Sequence, residues 1–101
     1  MGFDVVLYDH EGQEIQFFEF SEYLHNAIFN SSKLWRSYLE LRKLSDFYLT
    51  DETFSGDNLR KLITDLYQYQ NNLLNHKQNE YQEVIGKISQ PKVASVHIAG
   101  D

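Results

Sequence analysis

The sequence predicts an α+β domain in which a small antiparallel-biased sheet, made of an N-terminal hairpin and a C-terminal strand, packs against about four helices. Three observations lead there. Two β-branched and aromatic runs, separated by turn residues, occupy Phe3 to Phe20; apolar residues then recur at helical spacing as far as Ile88; Pro91 ends that pattern just ahead of another β-rich run. At 101 residues the chain reads as one domain, 1–101, of a size that buries roughly 60–70% of its unfolded surface without covalent staples.

Phe3-Asp4-Val5-Val6-Leu7-Tyr8 reads as the first strand and Glu14 to Phe20 as the second. Asp9-His10-Glu11-Gly12 between them is turn chemistry, with Gly12 able to take positive φ at the end of the loop. Phe17 and Phe18 are adjacent and break the in–out alternation, so either both faces are covered there or a bulge shifts the register. Ser21 is the expected N-cap of a short helix, with Glu22 in its first turn, where a carboxylate suits the helix dipole. Tyr23, Leu24, Ala27 and Ile28 give that helix its period, and Asn30-Ser31-Ser32 closes it.

A second helix is expected over 33–44, its apolar side formed by Leu34, Trp35, Tyr38, Leu39, Leu41 and Leu44. Asp46 to Asp57 reads as a connector anchored to the core by Phe47, Tyr48 and Leu49. A third helix carries Leu59, Leu62, Ile63, Leu66 and Tyr67, and Gln68 to Asn72 reads as a kink or loop. Leu74, Lys77, Tyr81, Val84 and Ile88 predict a fourth helix from about Asn72 to Ser89, weakened in its last turn by Gly86. Val93 to Ile98 is the last strand, expected to join the hairpin because two strands alone are marginal.

Charge is distributed unevenly. Asp4, Asp9, Glu11, Glu14, Glu19 and Glu22 precede the first cation, Lys33, and account for the whole net charge of −6. From Lys33 onward nine cations meet nine carboxylates. Such a field repels nucleic acid and anionic membranes and steers a basic protein toward one end of the molecule. It also serves solubility, and the cationic stretch 33–43, with four cations against Glu40, is placed to neutralise it within the fold. The absence of Cys excludes disulfides, thiolate zinc sites and cysteine nucleophiles, and fits a reducing compartment. No secretory signal opens the chain, and no apolar run approaches the roughly 18 residues of a membrane span, so a cytoplasmic location is expected.

Motifs of catalysis are missing. The four His residues, at 10, 25, 76 and 97, form no H-x-x-x-H pair, so no metal ligand set is predicted. Glu22 and His25 are three apart and are expected to form a surface pair. Gly12, Gly56 and Gly86 are isolated and make no phosphate loop, and no cofactor is expected. Asp9, Glu11, Asp51 or Glu52 could be paired for acid–base work, as in any acidic protein. Seven Tyr remain, each with large contact area and a polar tip. Tyr67 and Tyr69 cannot both face the core of one helix, so at least one is expected at the surface.

The segments Gly2-Phe3-Asp4-Val5-Val6-Leu7-Tyr8-Asp9 and Phe47-Tyr48-Leu49-Thr50-Asp51-Glu52-Thr53-Phe54-Ser55-Gly56, in a small acidic chain, resemble the immunity proteins of bacterial toxin–immunity systems. More narrowly, they are similar to those that protect against contact-dependent growth inhibition toxins. The resemblance implies a non-catalytic inhibitor, a monomer in a 1:1 complex, that covers the basic active-site or substrate surface of one toxin domain, a nuclease of RNase type. Nuclease–immunity pairs reach dissociation constants of roughly 10⁻¹³ M. The carboxylates expected to meet that partner are Asp9, Glu11, Glu14, Glu19 and Glu22, with Asp51, Glu52 and Asp57 as a second cluster and Tyr67 and Tyr69 as anchors. Two other readings stand beside it: a structural or adaptor subunit that forms a homo-oligomer, and a small hydrolase with a pocket of His and carboxylates.

Overall fold

Turn chemistry and strand propensity produce the hairpin that the sequence predicts. A computed structural model describes residues 2–46, 48–73 and 78–100. Strand β1 (Gly2–Tyr8) pairs antiparallel with β2 (Glu14–Ser21), and Gly12 takes φ +81° in the loop between them. The Asp9 carboxylate closes that loop, accepting from the backbone N–H of Glu11 at 2.9 Å and of Gln13 at 3.0 Å. The register shifts between Leu7 and Tyr8, at the hairpin end. Phe18 is half-buried against the core and Phe17 is 59% exposed, so neither explanation offered for that adjacent pair holds at the pair itself.

Ser21 caps α1 (Glu22–Phe29) as expected, its Oγ accepting from the Leu24 N–H at 3.0 Å. The same Oγ donates to Glu80 at 2.9 Å, which ties the cap to a later helix. Gly2 lies opposite Ser21, and a Cβ there would collide with the Phe20 carbonyl oxygen, so the close approach admits only glycine.

Over 33–44 the structure corrects the sequence. There is no α-helix but two 3-10 turns, Leu34–Ser37 and Leu41–Leu44, separated by an extended Tyr38. Side-chain acceptors from elsewhere replace the helical ladder: Asp65 Oδ2 takes the N–H groups of Glu40 (2.9 Å) and Leu41 (3.1 Å). The Trp35 indole N–H is given to the carbonyls of Phe29 and Ser32. Apolar residues on both sides of the stretch also gave a helix no single face to bury, and Leu34 and Leu39 remain exposed.

Within the predicted connector stands β3 (Asp51–Ser55), where only Phe54 is buried. Helix α2 follows (Gly56–Tyr69), running past the predicted break at Gln68 into a 3-10 turn, Gln70–Asn72. Its buried stripe is Leu59, Leu62, Leu66 and Tyr69 at spacings of three, four and three. Helix α3 spans Gln78–Ile88, and β4 spans Ser95–Ala99. Leu74, His76 and Lys77, like Phe47, lie outside the described residues. The described α-helices therefore number three where about four were expected.

The sheet has four antiparallel strands in the order β2-β1-β4-β3. β4 joins the hairpin beside β1, as expected, and offers its other edge to β3. Alternate residues Phe3, Val5, Leu7, Phe20, Phe54, Val96 and Ile98 are buried against the helices. Each such side chain contributes about 1.5–3 kcal/mol by leaving water.

Candidate functional site: the acidic end of the sheet

The other set of alternate residues defines an open face. Asp4, Val6 and Tyr8 of β1, Phe17 and Glu19 of β2, Asp51, Thr53 and Ser55 of β3, and Ser95, His97 and Ala99 of β4 are all exposed or half-exposed. The strands hold five carboxylates (Asp4, Glu14, Glu19, Asp51 and Glu52) and no Lys or Arg, so five of the six net negative charges sit in the sheet. Elsewhere nine cations meet ten carboxylates. The asymmetry read along the chain is thus an asymmetry between sheet and helices.

Register gathers these groups at one end. Glu19 stands opposite Asp4, Asp4 opposite Ala99, and Ala99 opposite Asp51, which forms a row across all four strands. With strands about 4.8 Å apart the row is about 14 Å long. The next row is Phe17, Val6, His97 and Thr53, with His97 Nε2 bonded to Asp51 Oδ1 at 2.6 Å. β2 leads into α1 at this end, and the Asp46 turn leads into β3 here. That turn is held by Asp46 Oδ1, which accepts from the N–H groups of Tyr48 and Leu49. Glu22 and Asp46 therefore extend the same acidic end.

A polar cleft of about 460 Å³ opens there beside α1, lined by Glu22, His25, Asn26, Trp35, Asp46 and Tyr48, among others. His25 forms no surface pair with Glu22, contrary to expectation, because its ring is buried between Phe3 and Phe29. Its Nε2 is 3.0 Å from the Leu44 carbonyl, to which it donates. Burial pushes the His25 pKa below its ordinary value, against the opposing pull of that hydrogen bond and of Asp46 and Glu22.

The sequence-predicted residues fall into separate groups. Glu19, Glu22, Asp51 and the half-buried Glu52 lie at the acidic end, joined by Asp4 and Asp46, which had not been nominated. Asp9, Glu11 and Glu14 lie at the hairpin end, where Asp9 is spent on its own loop. Asp57 begins α2 and pairs with Arg60. Tyr67 is exposed, whereas Tyr69 is buried with its hydroxyl donating to the Ile28 carbonyl at 3.1 Å, which removes it from any surface role. The spacing of Leu59, Leu62, Leu66 and Tyr69 carries the signal of this burial, and it is visible only if the helix continues past Gln68.

The described residues contain no ion pair between the cationic 33–43 segment and any of the six early carboxylates. Lys43 pairs instead with Glu40 at 2.9 Å. No three described His, Asp or Glu side chains converge as metal ligands, and no described helix is long and apolar enough to cross a membrane. Comparison with protein-family models, curated proteins and solved structures found no match to this chain.

Proposed function

We propose that this chain is a non-catalytic immunity protein that binds and neutralises a cognate toxin domain, a nuclease of RNase type, by covering its cationic substrate surface with the acidic end of the sheet. The observation that carries this reading is the row Glu19, Asp4 and Asp51. Like charges directly opposite one another weaken a sheet, yet Asp4 and Glu19 face each other on the open side with no described cation to offset them. A surface of this kind attracts phosphate-binding clefts over a distance, and exposed Phe17 supplies an apolar contact within it. On this reading the protein acts in the cytoplasm as a monomer in a 1:1 complex.

Co-expression with the toxin domain of an adjacent secreted-toxin gene is the test. The wild-type chain should protect the cell and co-purify with the domain, and Asp4→Lys with Glu19→Lys should abolish both. Protection by a double variant that is folded would remove the sheet from the interface. A second reading, a homo-oligomeric adaptor, draws on exposed Leu34, Leu39 and Leu49. A stable oligomer of the isolated chain in light scattering would favour it.

A further inference from the structure

The cleft beside the acidic row has a composition of its own. Its two carboxylates, Glu22 and Asp46, stand on different elements, and no described Lys or Arg pairs with either. The Trp35 indole is held in place by its two carbonyl acceptors, 3.1 and 2.9 Å away, and by edge contact with Phe29. Tyr48, largely exposed, also lines the cleft. Asn30 donates its side-chain amide to Asn26, which orders the amides along the α1 side. Arg36 lies over Trp35, 5.6 Å from the ring centroid, and does not line the cleft.

We propose that this cleft is a receptor for a guanidinium group, an arginine side chain of the cationic partner, held between Glu22 and Asp46 against the Trp35 and Tyr48 rings. The proposal rests on the functional reading above and deepens it. A planar cation with five donors suits dispersed oxygen acceptors and the faces of aromatic rings, and a compact ammonium suits them less. A metal ion would need ligands that converge, and the described carboxylates and His25 do not. His25 adds no competing charge at neutral pH, because its Nε2 proton is given to Leu44 and burial disfavours a second proton. Asp46 is also unusually easy to test. An Asn at that position keeps an oxygen for the Tyr48 and Leu49 N–H groups and loses only the charge.

The experiment is an NMR titration of the isolated chain with N-acetyl-arginine amide, read at the single Trp35 indole N–H and the Asn26 and Asn30 side-chain amides. N-acetyl-lysine amide and N-acetyl-glutamine amide serve as comparison probes. A saturable millimolar response to the arginine probe is expected, at least 3-fold tighter than to lysine and absent with glutamine. Asp46→Asn and Glu22→Gln should each weaken it at least 5-fold. A linear response, equal responses to arginine and glutamine, arginine no tighter than lysine, or unchanged binding in a folded variant would overturn the proposal. The three-probe comparison on the wild-type chain decides the matter even if a variant does not fold. No toxin is present, so a failed titration beside intact protection sinks the cleft alone, and a failed protection assay leaves the titration result standing.

Discussion

The two ends of the sheet carry negative charge and use it differently. At the hairpin end Asp9 is folded back onto its own loop and Asp57 is matched by Arg60. An apolar groove of about 540 Å³, lined by His10, Leu59, Arg60, Ile63 and Val93 among others, lies beside them. At the far end Glu19, Asp4 and Asp51 line up across the strands and Glu22 and Asp46 continue them around the cleft; Asp46 Oδ1 holds its own turn and Asp51 meets His97, yet no Lys or Arg forms an ion pair there among the described residues. The contrast teaches that a carboxylate's sequence position says little about its availability. What matters is which side chains strand register and chain turns set beside it, and whether a cation is among them.

Five measurements test that contrast and the fold behind it. The largest effect is expected from Asp4→Lys with Glu19→Lys. It should weaken capture of a cationic partner about 100-fold, equivalent to about 2.8 kcal/mol, by calorimetry at low salt. Glu11→Lys with Glu14→Lys makes the same change in net charge at the other end and should cost less than about 5-fold, a long-range effect that added salt removes. Equal losses from the two pairs would erase the distinction between the ends. Asp9→Ala should next lower stability by about 1 kcal/mol through its two lost loop bonds, measured by urea unfolding, with partner affinity unchanged. Asp57→Asn, at an exposed pair within one helical turn, should change stability by less than about 0.5 kcal/mol.

The last measurement concerns pH. The folded pKa of His25 lies below its ordinary 6.5, so the unfolded chain binds its proton first as pH falls. Its contribution to stability is complete above about pH 6.5 and is lost progressively as pH drops through the folded value. Urea midpoints at pH 7.5 and 5.5 should show that decline, and His25→Gln should flatten it. A slope unchanged by His25→Gln would assign the decline to other groups.

Local chemistry made several elements legible in the sequence. The β-rich runs, Gly12 and Ser21 each act through neighbouring residues, and the structure places the hairpin, its loop and the α1 cap accordingly. The last strand was readable because Pro91 isolates it from α3. What was not legible depends on distant partners. β3 is a strand only because β4 offers an edge, and its carboxylates hide the β signal. The 33–44 stretch gives up its helix to Asp65, twenty-odd residues away. The acidic end has the same origin: Asp4 and Asp51 are far apart in sequence and meet across Ala99. Composition disclosed the amount of charge, and strand order decided where it could be used.

The pleat of the sheet has one further consequence. Phe3, Val5 and Leu7 are committed to the interior, while Asp4 and Val6, interleaved with them, are not. Because neighbouring residues belong to opposite sides, Asp4, Val6, Phe17, Glu19, Asp51, Thr53 and His97 can be randomised together without altering a packed side chain. The domain is therefore suited to retargeting: a display library at these seven positions would ask whether one framework can be taught a repertoire of unrelated binding specificities.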